Sequence, residues 1–276
     1  MKFGIHVSIA GGIENAPLNA HKRQADTFQM FSRSPRGGKP TYTKDSIEEF
    51  KKRCQEYGFD ECYIHTPYYI NLASSTSRIL KGSITSIREE LEIGTQLGVT
   101  GVMTHLGSSK DYTRKEAIDL VVKGIDEIMK GYKGTTQLLI ENAAGAGQIM
   151  GDTFEEIGYI LKKVKYKNVG VCLDTCHAFA SGYDIRTKAS LDKTVTDFDK
   201  HIGLDKLKLF HMNDSKVELD SHKDRHEVIG KGFIGEKAFA TFINHPKLKN
   251  ISAILETPDV GEEKIPSLKL VKKLKK

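Results

Sequence analysis

The 276-residue chain is 38% hydrophobic and 28% charged, a balance that suits a packed globular protein and excludes disorder. It has no apolar run of the roughly 18 residues that a membrane span needs, and Met1-Lys2-Phe3-Gly4 leads straight into a strand rather than a secretory leader, so a cytoplasmic protein is expected. A formal net charge of +6 permits attraction of a polyanion without establishing one.

Eight short apolar runs alternate with amphipathic segments along the chain. Phe3–Val7 and Thr27–Phe31 come first, followed by a helical pattern over Ser46–Tyr57 and a strand at Cys62–His65. Ser83–Leu97 then carries Ile84, Ile87, Leu91 and Leu97 as an apolar stripe and leads to the strand Gly101–His105. Lys115–Lys130, Thr153–Lys165, Leu191–Ile202 and Glu236–Ile243 read as further helices between the strands Gln137–Glu141, Val169–Asp174, Leu207–His211 and Ala253–Glu256. Lys269–Lys276 reads as a solvated last helix. The repeat predicts the α/β class and a single (β/α)8 barrel spanning residues 1–276 as one domain. Two connections exceed simple turns: Ser32–Lys44, rich in Gly, Pro, Ser and Arg, and the polar Asn213–Gly235. Both follow a strand's carboxyl end, where barrels place function.

The last six strands end on His65, His105, Glu141, Asp174, His211 and Glu256. In a barrel these side chains converge on one cavity at the C-terminal face. A single strand-end histidine is usually a satisfied polar residue; three at equivalent positions beside carboxylates point to metal ligation. Two local motifs add ligands. In Asp174-Thr175-Cys176-His177 a tight turn aims acid and imidazole at neighbouring ions, and in Asp224-Arg225-His226 the two-residue step puts both groups on one side of an extended backbone. The candidate set is therefore His65, His105, Glu141, Asp174, His177, His211, Asp224, His226 and Glu256, suited to Zn²⁺ with Mn²⁺ or Fe²⁺ as alternatives. Nine ligands suit two or three ions. Four carboxylates against three divalent ions and a hydroxide leave a cavity charge of about +1, which favours an anion such as a phosphodiester and hence phosphate-ester hydrolysis. Cys54, Cys62, Cys172 and Cys176 form no Cys-x-x-Cys pair and read as reduced, mostly buried thiols.

These residues sit in long motifs: Gly4-Ile-His-Val-Ser-Ile-Ala-Gly-Gly12, His65-Thr-Pro-Tyr-Tyr-Ile-Asn-Leu72, His105-Leu-Gly-Ser108, Ile140-Glu-Asn-Ala143, Gly170-Val-Cys-Leu-Asp-Thr-Cys-His177, His211-Met-Asn-Asp-Ser-Lys216, Asp224-Arg-His-Glu-Val-Ile-Gly-Lys-Gly-Phe-Ile-Gly235 and Leu255-Glu-Thr-Pro258. Over nearly its whole length the chain resembles endonuclease IV, the zinc-dependent apurinic/apyrimidinic endonuclease of base-excision repair. The resemblance implies three Zn²⁺ per chain: His65, His105 and Glu141 at the first, Glu141, Asp174, His211 and Glu256 at the second, and His177, Asp224 and His226 at the third. It implies hydrolysis of the phosphodiester 5′ to an abasic site in double-stranded DNA, leaving a 3′-hydroxyl and a 5′-deoxyribose phosphate. A hydroxide shared by the first two ions would attack phosphorus in line, the third ion would steady the departing 3′-oxygen, and Glu141 would be the catalytic residue that fixes the metal pair.

By the same resemblance Arg36 and Tyr68 match positions that enter or press on the DNA; His6 and Ser8 stand at the first strand's end, where they either line the cleft or make a structural polar contact. One departure is visible: many relatives carry a tryptophan two residues after that arginine, whereas this chain has Gly38 there and no tryptophan at all. Damage recognition is expected to differ, and metal chemistry is not. The competing expectations are a sugar isomerase or epimerase on a related barrel, with one or two ions, and a catalytically silent barrel that recognises damaged DNA. A monomer is the default, since the sequence carries no oligomer signal.

Overall fold

A computed structural model describes residues 1–34, 38, 40–261 and 265–276. In chain order the first half runs β1 (Phe3–Val7), α1 (Asn15–Lys22), β2 (Thr27–Met30), α2 (Lys44–Glu56), β3 (Tyr63–His65), α3 (Ser77–Leu97), β4 (Gly101–Thr104), α4 (Arg114–Met129) and β5 (Gln137–Glu141). The second half runs α5 (Phe154–Lys163), β6 (Val169–Asp174), α6 (Thr175–Ala180), α7 (Lys188–His201), β7 (Leu207–His211), β8 (Asp214–Ser215), β9 (His226–Glu227), α8 (Glu236–Ile243), β10 (Ser252–Leu255) and α9 (Pro266–Leu274). All eight expected strands close into a parallel barrel in the order β1-β10-β7-β6-β5-β4-β3-β2. The (β/α)8 expectation holds.

The differences are local. The second, third, fourth and eighth strands are each shifted or shortened by a residue at an end, so His105 and Glu256 stand just past β4 and β10. Ser77–Leu97 starts six residues before the Ser83 expected, because Ser77-Arg-Ile-Leu-Lys-Gly82 forms its partly solvated first turns and breaks the apolar stripe. Helices α1 and α6 were not expected from periodicity. The first is short and contains Pro17; the second is a six-residue turn capped by Asp174, whose Oδ1 accepts the His177 N–H at 2.8 Å. Asn213–Gly235 is not irregular throughout: it carries the antiparallel β8–β9 ladder, which pairs Asp214 with Glu227 and Ser215 with His226.

Two apolar layers hold the barrel. The larger lies between the strands and the helices, as with Val102, Ile140 and Val171 against Leu91, Val121 and Ile157. The smaller is a plug of Tyr63, Met103, Leu139, Cys172, Leu209 and Ile254. Each plug residue precedes one expected ligand by two positions: Tyr63 and His65, Met103 and His105, Leu139 and Glu141, Cys172 and Asp174, Leu209 and His211, Ile254 and Glu256. Successive strand side chains alternate faces, so a residue two beyond the plug points inward again, at the carboxyl mouth. Gly4 completes this level by having no side chain: a Cβ there would press on the Thr27 carbonyl and Ile254.

Candidate metal centre

The alternation delivers the candidate ligands to one place. Glu141, at the end of β5 and 1% exposed, is the hub. Its Oε2 lies 3.1 Å from His65 Nε2 and 3.5 Å from His105 Nε2, and its Oε1 lies 2.8 Å from His211 Nδ1. One carboxylate thus faces two groups, one oxygen to each. His211 Nδ1 is also 3.2 Å from Glu256 Oε2, and Asp174 joins Glu141, His211 and Glu256 within 4.8 Å. On the other side of the mouth His177 Nε2 stands 3.3 Å from Asp224 Oδ2 and 3.4 Å from His226 Nε2, while His226 Nε2 is 3.4 Å from Asp224 Oδ1. Asp174 Oδ2 lies 3.6 Å from His226 Nε2 and so stands between the second and third groups.

The donor set fits divalent ions on two counts. First, ligands ~2.0–2.1 Å from a tetrahedral zinc stand ~3.3–3.4 Å from one another, and His177, Asp224 and His226 have that spacing. Second, four imidazoles have one nitrogen backed by an oxygen. His65 Nδ1 contacts the Thr66 carbonyl at 2.6 Å, His177 Nδ1 that of Asn142 at 3.0 Å, His226 Nδ1 that of Glu256 at 3.2 Å, and His211 Nε2 the amide oxygen of Gln29 at 2.7 Å. An N–H spent on those oxygens leaves the opposite nitrogen's lone pair directed into the cavity, as metal-binding histidines require.

The electrostatics are strongly coupled. Burial would raise the Glu141 carboxyl, but His105, His211 and His65 overcome it and hold it well below the carboxylate range. Burial would lower His177, but Asp174, Asp224 and Glu141 outweigh it and push the imidazole up to about 10. His65 and His211 are raised against burial, with Glu141 acting on both, whereas burial wins at His105 and lowers it despite Glu141. Protons thus occupy part of the ligand set at neutral pH when no cation does. A metal binding to His177 must displace its proton, so apparent affinity should rise with pH through the neutral range. Calorimetry in two buffers of different ionisation enthalpy should show proton release; identical heats in both would sink this expectation.

The other expected contacts are placed unequally. Tyr68 is 73% exposed at the mouth, its ring edge-on to Phe31 at 5.4 Å and tilted against His65 at 6.0 Å. His6 lines the same cavity, which has a volume of about 360 Å³, and its Nδ1 lies 3.8 Å from Glu256 Oε1. Ser8 is spent locally, its hydroxyl accepting the Ala10 N–H at 3.1 Å. Arg36 lies outside the described residues; Gly38 is described and is exposed. Beside the cavity is an apolar annexe of about 420 Å³ that shares Tyr68, His105, His177 and Asp224 and adds Tyr69, Ala144 and Ile149. The four cysteines are free, as expected. Cys176 with Asp224 and His226 forms an alternative donor group that the spacing did not suggest.

Four positioning residues were also unforeseen. Asn213 Nδ2 donates to Asp174 Oδ2 at 2.6 Å while its Oδ1 accepts the Glu256 N–H at 2.8 Å. Asn142 Oδ1 accepts the Asp174 N–H at 2.6 Å, and Thr175 Oγ1 donates to the Asn213 carbonyl at 2.7 Å. Gln29 is the fourth. For the asparagines a signal existed: each directly follows or nearly follows a strand-end ligand, Glu141-Asn142 and His211-Met-Asn213.

Residues 18–275 match the family described as Xylose isomerase-like TIM barrel. A Nitrosopumilus maritimus protein named Probable endonuclease 4 is 41% identical over 262 residues, 94% of each chain. A Chlorobium limicola protein of the same name is 42% identical over 263 residues, 94% of this chain and 90% of its own. The crystal structure of endonuclease IV from Thermus thermophilus is similar at a TM-score of 0.89 and 31% identity, covering 99% of this chain and 98% of that one. A D-tagatose 3-epimerase-like protein, 21% identical with a TM-score of 0.72, shares the barrel and bears on the fold alone.

Proposed function

The chain belongs to the endonuclease IV family of the xylose isomerase-like TIM barrels, and on that premise we propose that it is a DNA-repair hydrolase that cuts the phosphodiester 5′ to an abasic site, leaving a 3′-hydroxyl and a 5′-deoxyribose phosphate. The observation that carries this reading is the hub at Glu141, with the oxygen-backed imidazoles of His65 and His211 against it and those of His177 and His226 in the third group beside it. His65, His105 and Glu141 would hold one ion, Glu141, Asp174, His211 and Glu256 a second, and His177, Asp224 and His226 a third, giving three Zn²⁺ per chain with Mn²⁺ or Fe²⁺ as substitutes. Such ions supply activation of water at neutral pH and neutralisation of charge on the attacking and departing oxygens.

The chain's own groups do the rest. Ionised Glu141 offers no proton to the phosphate and keeps the two groups it faces at a fixed separation. Tyr68 presents an exposed ring to a duplex over the mouth, with Phe31 behind it, and Arg36 would enter from the loop after β2. An abasic nucleotide leaves the helix at least cost, because its base is already missing. The third group distinguishes this reading from a sugar epimerase, which would leave His177, Asp224 and His226 without a task.

Zinc-loaded protein should incise a duplex carrying a single abasic analogue, lose that activity on chelation and regain it with zinc, at a metal content of about three per chain. No incision at full zinc occupancy would defeat the proposal. Metal content of one or two with sugar epimerisation would support the alternative.

A further inference from the structure

Gln29 is a fully buried amide in the middle of β2, between Phe28 and Met30, and its polar atoms all reach across the barrel mouth. Its Nε2 lies 2.6 Å from Glu256 Oε1 and 3.0 Å from His6 Nδ1, and its Oε1 lies 2.7 Å from His211 Nε2. Elementary donor counting fixes the hydrogens on the atoms that face Gln29. The amide nitrogen can only donate, and it faces Glu256 Oε1, which therefore accepts. The amide oxygen then faces His211 Nε2, which must carry the hydrogen. The second amide hydrogen points to His6 Nδ1, which must accept and therefore leaves its own hydrogen on Nε2.

We propose that Gln29 is a positioning residue that sets two histidine tautomers at once: His211 with Nδ1 free toward Glu141 and Glu256, and His6 as an Nε2–H donor to an anionic oxygen of the substrate. The first half makes Nδ1 the atom of His211 that would bind a cation together with the Glu141 and Glu256 oxygens 2.8 Å and 3.2 Å from it; without a cation the same nitrogen keeps a hydrogen for those carboxylates. Gln29 also ties up one oxygen of Glu256 and leaves the other for a metal. The second half turns His6 from a group that would repel a phosphate oxygen through a lone pair into one that binds it. The His211 half rests on the metal reading above; the His6 half does not.

The test is nitrogen-15 NMR of the histidine rings, which separates protonated from bare ring nitrogens. In wild-type protein His6 should show its hydrogen on Nε2 with or without zinc, and His211 should show Nε2–H when zinc is bound. Gln29→Leu should lose the single-tautomer signature at both rings and weaken zinc at the second group by about 10–100-fold in chelator competition. Gln29→Glu retains an acceptor for His211 but no donor, so it should keep the His211 signature and lose that of His6. Adding abasic duplex to metal-free wild-type protein should move the His6 Nε2–H resonance. Wild-type His6 protonated on Nδ1, or Gln29→Leu indistinguishable in both tautomers and zinc affinity, would overturn the proposal. If wild-type protein bound no zinc at all, the metal reading would fail, and the His6 spectrum would still decide the second half. A thermal melt of each variant separates these effects from loss of fold.

Discussion

Glu141→Gln is expected to lower single-turnover incision by on the order of 10³-fold or more, about 4 kcal/mol of barrier, while the circular dichroism spectrum stays that of the wild type. Among the described residues it is the carboxylate that faces both the His65–His105 side and the His211 side, each through its own oxygen. An amide at that position keeps the shape but offers one acceptor instead of two and brings two donors toward imidazole nitrogens that must stay bare to bind a cation. It also removes the negative charge that holds the first and second groups together against their mutual repulsion. Metal content per chain and incision should therefore fall together, and zinc added in excess should restore occupancy better than turnover. Near-normal turnover would remove Glu141 from the bridging role.

Glu141 also shows why so much of the site was legible from the chain alone. A parallel barrel converts a one-dimensional regularity into a three-dimensional one: strand ends share a face, and side chains two residues apart share a direction. Tyr63, Met103, Leu139, Cys172, Leu209 and Ile254 form the plug, and adding two to each gives a candidate ligand. That relation needs only the strand ends to be right within a residue. His105 and Glu256 illustrate the tolerance, because both lie just past the strands assigned to them and still reach the cavity.

What periodicity could not supply is equally specific. Gln29 lies inside what reads as an apolar run, and nothing in Thr27-Phe-Gln-Met-Phe31 says that the third residue faces the mouth rather than the helices. The register of β1 with β2, which sets His6 beside Gln29, supplies that direction. Helix α6 was missed because a six-residue helix is too short to show a period, although its cap, Asp174, was identified for another reason. The β8–β9 ladder was missed because its order comes from a buried carboxylate. Asp214 accepts from the N–H groups of Gly230, Gly232 and Ile234 at 2.9, 3.1 and 3.0 Å, folding a polar loop around a charge instead of an apolar face. Those bonds brace the segment that presents His226, so a polar composition here marks construction as well as exposure.

Arg33→Met should destabilise the protein by roughly 3–5 kcal/mol, measured by denaturant unfolding at neutral pH, without changing zinc content. Arg33 is buried at the start of the loop after β2. Its Nε bonds Glu90 on α3, its Nη1 donates to Glu89 at 3.0 Å and to the Gly38 carbonyl at 2.9 Å, and Ser32 Oγ donates to the same Glu90. Tyr42 Oη closes the loop's far end onto the Ser32 carbonyl. Removing the guanidinium leaves the Glu90 carboxylate fully buried with one hydroxyl for company, and the loop loses the donor that fixes Gly38. Burial already pushes the Glu90 carboxyl above its ordinary value in spite of Arg33, so the folded state binds that proton more tightly than the unfolded chain does. Stability relative to the unfolded chain is therefore lost as Glu90 ionises with rising pH, and the deficit of Arg33→Met should be largest at neutral pH and shrink as the pH falls toward the acid range. Glu90→Gln should cost less, since Arg33 retains Glu89 and the Gly38 carbonyl. Because none of the nine candidate metal ligands takes part in these bonds, abasic-site incision by Arg33→Met should suffer in KM more than in kcat, as the loop expected to carry Arg36 to the DNA loosens. A variant within about 1 kcal/mol of the wild type, or one whose deficit grows on acidification, would show that the loop is held some other way.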